Sequence, residues 1–122
     1  MSIAYRRGQP FEITVNLNAN HLGYFEFSLC PLNSTKDIET EECFDAHPIY
    51  LTDGNRRYEV KENVRDNIKI RAVLPKNFKC PHCVLRWHYY CGNNWGFCDD
   101  GSNQLSCGNQ EVFRGCADIT IR

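Results

Sequence analysis

Six of the eight cysteines of this 122-residue chain fall between residues 80 and 116. They begin in the run Cys80-Pro81-His82-Cys83-Val84-Leu85-Arg86-Trp87-His88-Tyr89-Tyr90-Cys91-Gly92 and end in Gly115-Cys116-Ala117-Asp118-Ile119. An even cysteine count at wide spacing in so short a chain is the pattern of a disulfide framework, which persists in an oxidising compartment. The chain is therefore expected to be secreted. Cys30 and Cys43 enclose a polar loop and are expected to bridge, adding on the order of 3 kcal/mol by restricting the unfolded chain. Cys80, Cys83, Cys91, Cys98, Cys107 and Cys116 are expected to pair among themselves, in a connectivity that spacing alone does not choose.

Two other cysteine chemistries fit less well. The Cys80-Pro81-His82-Cys83 spacing is that of a thiol oxidoreductase, whose reactive sulfur sits at a helix start that stabilises its thiolate. Here the residues that follow read as a strand, so a structural crosslink is the better reading. A zinc site would draw on these cysteines with His82 and His88, but the second close cysteine pair that structural zinc sites use is missing.

Read for period, the chain is almost all strand. Phe11, Ile13, Val15 and Leu17 alternate with polar residues, and Phe25, Phe27 and Leu29 continue the pattern after Gly23. A period of two is that of a half-buried strand. Ile68, Ile70, Ala72 and Leu74 form a third run, closed by Pro75, which has no N–H to give to a ladder. In Val84 to Tyr90, Leu85, Trp87 and Tyr89 share one face while Arg86, His88 and Tyr90 share the other. Val112-Phe113 and Ala117 to Ile121 supply the last strand material. Turn signals stand at Asp53-Gly54-Asn55 and Gly92-Asn93-Asn94, and Lys36 to Phe44 is the one stretch that reads as a short helix. The expected fold is an all-β, disulfide-rich antiparallel β-sandwich of immunoglobulin or fibronectin-III type, one domain over residues 1–122, with Trp87 in its core.

Lys plus Arg 14 against Asp plus Glu 15 leaves a net charge of -1, so no global field draws the chain to nucleic acid or an anionic membrane. No apolar run approaches the roughly 20 residues that cross a bilayer, and Met1 to Pro10 lacks the apolar core of a signal peptide. Met1 is accordingly read as an expression start or a product of processing. Asn33-Ser34-Thr35 is a glycosylation acceptor triplet in a loop. His21, His47, His82 and His88 fall in no serine or cysteine catalytic order, and Glu41-Glu42 and Asp99-Asp100 read as solvated loop charges, so hydrolytic catalysis is not indicated.

Several blocks carry a family resemblance over nearly the whole chain: Asn18-Ala19-Asn20-His21-Leu22-Gly23-Tyr24-Phe25-Glu26, Leu29-Cys30-Pro31, Glu42-Cys43-Phe44, Cys80 to Trp87, Gly92-Asn93-Asn94-Trp95-Gly96 and Phe113-Arg114-Gly115-Cys116-Ala117-Asp118-Ile119. Together they resemble the animal-type lytic polysaccharide monooxygenases, secreted copper enzymes that cut chitin and cellulose and are related to the type-4 chitin-binding domain. The resemblance corresponds to the later part of that catalytic domain. It implies a copper site built from an N-terminal histidine, giving its amine and imidazole, and a second histidine from a later strand. His21 would be that second histidine, and Phe113 the aromatic at the axial position. The N-terminal histidine is absent from a sequence that starts Met1-Ser2-Ile3, and one imidazole without a chelating amine is a poor copper site. Arg86 also replaces a polar uncharged residue of the family.

Two readings follow. In one, the chain has shed the early segment and the oxidase with it, and is a non-catalytic extracellular protein that binds a β-linked polysaccharide or assembles with copies of itself as a matrix, as in a mineralised or chitinous skeleton. Copper is then not expected. In the other, the sequence is a fragment of a copper oxygenase whose histidine lies upstream. The even cysteine count favours the first, with Cys91 as a replacement partner for a lost cysteine. Trp95, Tyr90 and Tyr24 are the candidates for sugar stacking, because flat aromatic faces suit pyranose rings.

Overall fold

The computed structural model of the chain describes residues 3–17, 20–32, 39–61, 66–92, 95–105, 107–108 and 112–122. Asn33 lies outside them. The described residues form β1 (Ile3–Tyr5), β2 (Pro10–Leu17), β3 (Tyr24–Pro31), α1 (Glu41–Asp45), β4 (Pro48–Leu51), β5 (Arg57–Glu59), β6 (Asp66–Val73), β7 (Cys80–Tyr90), β8 (Trp95–Phe97), β9 (Asn103–Leu105) and β10 (Val112–Ile121).

The main sheet runs β1-β10-β7-β3-β4-β6-β2, with β5 pairing to β3, while β8 and β9 form a separate hairpin. β4 pairs with β3 on one side and β6 on the other, so it is the corner at which the curled sheet turns to face itself as a sandwich. Among the described residues the pairings are antiparallel except one: β1, which alternation did not reveal, lies parallel to the end of β10 with Ile3 opposite Ile119. The two last strand fragments of the sequence are one continuous strand, β10, paired along β7.

The core fills the inside of the curl. Phe25, Phe27 and Leu29 of β3 are almost wholly buried, as are Ile49, Ala72 and Tyr89. Phe25 meets Tyr89 edge to face at 4.8 Å and Trp87 at 5.5 Å, the geometry that aromatic quadrupoles prefer. Burial of each large side chain stabilises by about 2–3 kcal/mol. Phe11, Val15 and Leu17 are buried as alternation requires, whereas Ile13 and Trp87 are half-buried because they line an apolar groove.

The outer face of β7 is covered as well. α1 is a single turn from Glu41 to Asp45, too short to persist alone; of the Lys36 to Phe44 stretch that reads as helical, residues 36–38 lie outside the described residues. Thr40 caps it by accepting a hydrogen bond from the Cys43 N–H at 3.1 Å, and the Cys30–Cys43 disulfide ties it to β3. Its Phe44 packs on Cys30 and Val84 in a second small core.

Two further disulfides join Cys80 to Cys83 and Cys98 to Cys107. Cys91 is buried and Cys116 exposed, and the two do not bridge one another, so of the last six cysteines two pairs form among themselves as expected and these two do not. The reason is geometric. Cys116 pairs in register with Arg86, and Cys91, just past the end of β7, lies five residues further on in sequence, about 17 Å at strand rise, while a disulfide needs Cα atoms within roughly 7 Å.

Candidate functional site

The turn that carries His21 is fixed from several sides. Leu22 and Gly23 both take positive φ, 56° and 78°, a conformation that costs Leu22 on the order of 1 kcal/mol and suits glycine. A Cβ on Gly23 would sit 1.8 Å from the Tyr90 carbonyl oxygen, so the close approach of this turn to β7 admits no side chain. Asn20 Oδ1 accepts from the Leu22 N–H at 2.7 Å, and the Val60 N–H donates to the Gly23 carbonyl at 2.9 Å. Tyr89 is the central fastener: its hydroxyl accepts from the His21 N–H at 3.0 Å and donates to the Leu22 carbonyl at 2.5 Å. Burial pushes the Tyr89 phenol up from its ordinary value, which keeps the proton that this second bond uses. The Gly92 N–H donates to the His21 carbonyl at 2.8 Å, closing the turn onto the segment after β7.

Against this turn lies Phe113 of β10. Its ring stacks on the His21 imidazole with centroids 5.9 Å apart and planes at 25°, and it stays 41% exposed. Two residues separated by most of the chain thus form one imidazole–phenyl pair at the surface. The pair brings one imidazole against one phenyl ring. Among the described residues no three His, Cys, Asp or Glu side chains gather as a metal-binding group.

Tyr24 and Tyr90 are opposite one another across β3 and β7 and stack with centroids 4.8 Å apart. Arg57, from β5 on the other side of β3, holds its guanidinium 4.1 Å from the Tyr24 ring centre. Tyr90 also packs on His88 at 4.3 Å. A pyranose ring would have to displace Arg57 or Tyr90 to stack on Tyr24, so these two tyrosines present an internal aromatic column in place of a bare platform. The side chain of Trp95 is outside the described residues; its backbone opens the β8 strand opposite Leu105.

Phe97, which the sequence reading did not single out, is 75% exposed, the most of any large apolar side chain among the described residues. It shares a face of the β8–β9 hairpin with half-exposed Leu105. Its signal was available: an aromatic in a turn-rich segment directly before a cysteine that closes a small loop.

Arg86 marks a third locus, beneath α1. It is 5% exposed, donates to Glu41 Oε1 at 2.8 Å, and lies 4.3 Å over the Phe44 ring. The Arg86 hydrogen bond is the first cause that holds the Glu41 carboxyl below its ordinary value. His88, next on that face, is shifted down by burial first and then by Arg86 and Arg114. Arg114 Nε donates toward His88 Nε2 at 3.3 Å. Since an arginine N–H can only donate, Nε2 is the acceptor and Nδ1 carries the hydrogen toward the Tyr90 hydroxyl 3.1 Å away. This neutral imidazole is a structural part of the sheet face, beside the Arg86 cation that is buried against the acidic helix α1.

Comparison with known proteins adds two findings. The family model described as "Lytic polysaccharide mono-oxygenase, cellulose-degrading" matches residues 2–119. The solved structure "Lytic Polysaccharide Monooxygenase AA15 from Thermobia domestica in the Cu(I) State" is 38% identical, with a TM-score of 0.91 over 98% of this chain and 62% of that one. The chain therefore spans less than two thirds of that relative's length. No curated protein sequence matches it. By its curled β-sandwich and these two matches, the chain belongs to the lytic polysaccharide mono-oxygenase family.

Proposed function

We propose that this chain is a secreted polysaccharide-binding domain on the mono-oxygenase fold that does not oxidise its ligand by itself. The observation that carries this reading is the donor set. His21 is one imidazole, its neighbour Phe113 has no ligating atom, and no metal-binding group forms among the described residues. The family's copper is held by three nitrogens, and one imidazole does not supply that set. Three disulfides support an extracellular setting, and among the described residues no helix is long and apolar enough to cross a membrane.

The ligand is a β-linked polysaccharide, chitin or cellulose, contacted by the exposed Phe97 and by Phe113. Retention of the 122-residue protein on chitin or cellulose beads is the expected result, reduced at least about threefold by Phe97→Ala, in line with ~1 kcal/mol for an exposed aromatic contact. Unchanged retention in His21→Ala is expected too. No retention on either polymer would sink the reading and favour the matrix alternative, in which copies of the chain assemble with one another and light scattering shows oligomers that grow with concentration.

The second reading, a copper oxygenase, is favoured by one specific observation: the His21 imidazole and the Phe113 ring are kept stacked at the surface. It requires two more nitrogens from outside the described residues. Tight copper binding with a type-2 spin-resonance signal, lost in His21→Ala, together with oxidised sugars in the presence of a reductant, would replace the first reading by the second.

A further inference from the structure

Three segments meet at the end of the sandwich that lies away from the His21–Phe113 pair. Phe113 and Ile121 are eight residues apart on β10, about 27 Å at strand rise, so the two ends present separate surfaces. Residues 6–9 join β1 to β2, residues 74–79 join β6 to β7, and Arg122 follows β10. Backbone bonds lock them together: the Gly8 N–H donates to the Pro75 carbonyl at 3.0 Å, the Arg7 N–H to the Arg122 carbonyl at 3.0 Å and the Arg122 N–H to the Tyr5 carbonyl at 2.8 Å. A Cβ on Gly8 would stand 3.2 Å from Lys76 Cγ, so the lysine stem lies across the first turn. Arg6, Arg7, Lys76 and Lys79 are all exposed here, and none enters an ion pair among the described residues. Elsewhere the balance is reversed, since the other ten Lys and Arg of the chain stand against all 15 Asp and Glu. A groove of about 510 Å³ opens between the segments, lined by Arg7, Lys79, Pro81, Thr120, Ile121 and Arg122 and by no carboxylate side chain. That volume is within the range of sites that hold small ligands.

We propose that this basic end is a second binding site, which takes the anionic groups of an acidic polysaccharide, carried as sulfate esters or as uronate carboxylates. Cations gathered without partners repel one another and raise the local potential, and a bound anion relieves both. The Arg7 guanidinium is a planar fork that matches two oxygens of a sulfate or carboxylate, while the Lys76 and Lys79 ammoniums are point charges on flexible stems that follow anionic groups along a polymer. The backbone lock between the segments means that little main chain has to be ordered on binding. A membrane surface suits the site less well. Basic sites that lie on lipid pair their cations with exposed apolar side chains, and neither turn exposes one: Phe78 and the neighbouring Tyr5 pack against the core. Single-stranded nucleic acid would need stacking aromatics, which these turns lack for the same reason. Because this end is separate from the Phe113 contact, a chain using both would bridge a neutral polymer to an acidic one.

The test measures binding of the 122-residue protein to immobilised heparin, to polygalacturonate and to phosphatidylserine vesicles. The expected result is retention on a polyanionic polysaccharide at about 0.15 M NaCl and release by about 1 M, where charges are screened beyond ~3 Å. Retention on heparin alone assigns sulfate esters, and retention on polygalacturonate alone assigns carboxylates; both support the site. Arg7→Gln combined with Lys79→Gln is expected to weaken this binding at least about tenfold, with the melting temperature within about 2 °C of the parent because both side chains are exposed. Lys61→Gln combined with Lys69→Gln removes the same charge from exposed positions elsewhere and should leave the affinity within about twofold. An equal loss in both pairs reduces the effect to net charge and overturns the site. So does the absence of retention on either polyanion, retention that salt does not release, or tighter binding to the vesicles, which would assign this end to a membrane surface. Chitin beads read the neutral contact independently: heparin binding without chitin retention supports this site and strikes only the other.

Discussion

β3 and β10 flank the same strand, β7, and meet opposite environments. β3 is buried along both faces, inward by the core and outward by α1 and the cross-strand stack, so that six of its eight residues show five buried and one half-buried side chain between Phe25 and Cys30. β10 has comparable apolar content, yet from Val112 to Asp118 it is exposed everywhere but at half-buried Gly115. The difference teaches that residue type does not decide burial in a sheet; what packs across from each face does. One half of the molecule is a finished sandwich and the other is a strand with no facing layer among the described residues.

Substitutions can break or sharpen that contrast. The largest effect is expected from Phe25→Ala, which empties the centre of the finished half and should cost about 3–5 kcal/mol, against less than about 1 kcal/mol for Phe113→Ala; denaturant unfolding of the two variants checks it, and similar costs would erase the distinction between the halves. Gly23→Ala comes next. Its Cβ meets backbone of β7 that cannot rotate away and its φ is positive, so a loss of about 2–4 kcal/mol is expected, with the Tyr89 hydroxyl bonds to the turn disturbed in the amide spectrum. Glu41→Gln leaves Arg86 buried without its anionic partner, and because Glu41 is itself exposed the expected loss is about 1 kcal/mol.

The smallest effect is a pH dependence. His88 is held below its ordinary 6.5 in the folded state, so the unfolded chain binds the extra proton first and stability falls as pH drops through and below 6.5. Glu41 is held below its ordinary 4.5; its contribution is present above that value and is lost as pH falls further. Both act in the same direction. His88→Gln should flatten the melting curve between pH 7.5 and pH 5.5 by about 2 °C relative to the parent, and an unchanged slope would remove His88 from the account.

The finished half was legible in the sequence because its strands alternate: Phe11 to Leu17, Phe25 to Leu29 and Ile68 to Leu74 declare an inside. The Cys30–Cys43 loop was legible from spacing. What alternation could not show is anything set by contacts distant in sequence. The burial of Arg86 and His88 depends on a single helical turn brought over by a disulfide, and the parallel lie of β1 depends on the far end of β10. Tyr24 and Tyr90 read as sugar platforms because composition reports their flatness and not that they spend it on each other and on Arg57. His21 and Phe113 were paired only through the family pattern, since neither residue announces its partner.

The small disulfide loop of the β8–β9 hairpin has a separate consequence. Cys98 and Cys107 close it upon itself, its Asp100 and Gly101 tip is exposed, and neither strand joins the main sheet. The loop is therefore a unit on which sequence drift acts independently: insertions or exchanges at its tip leave every ladder of the sandwich intact while redrawing the outline around Phe97. Lineages that share this core can diverge in what they hold without having to re-evolve how they fold.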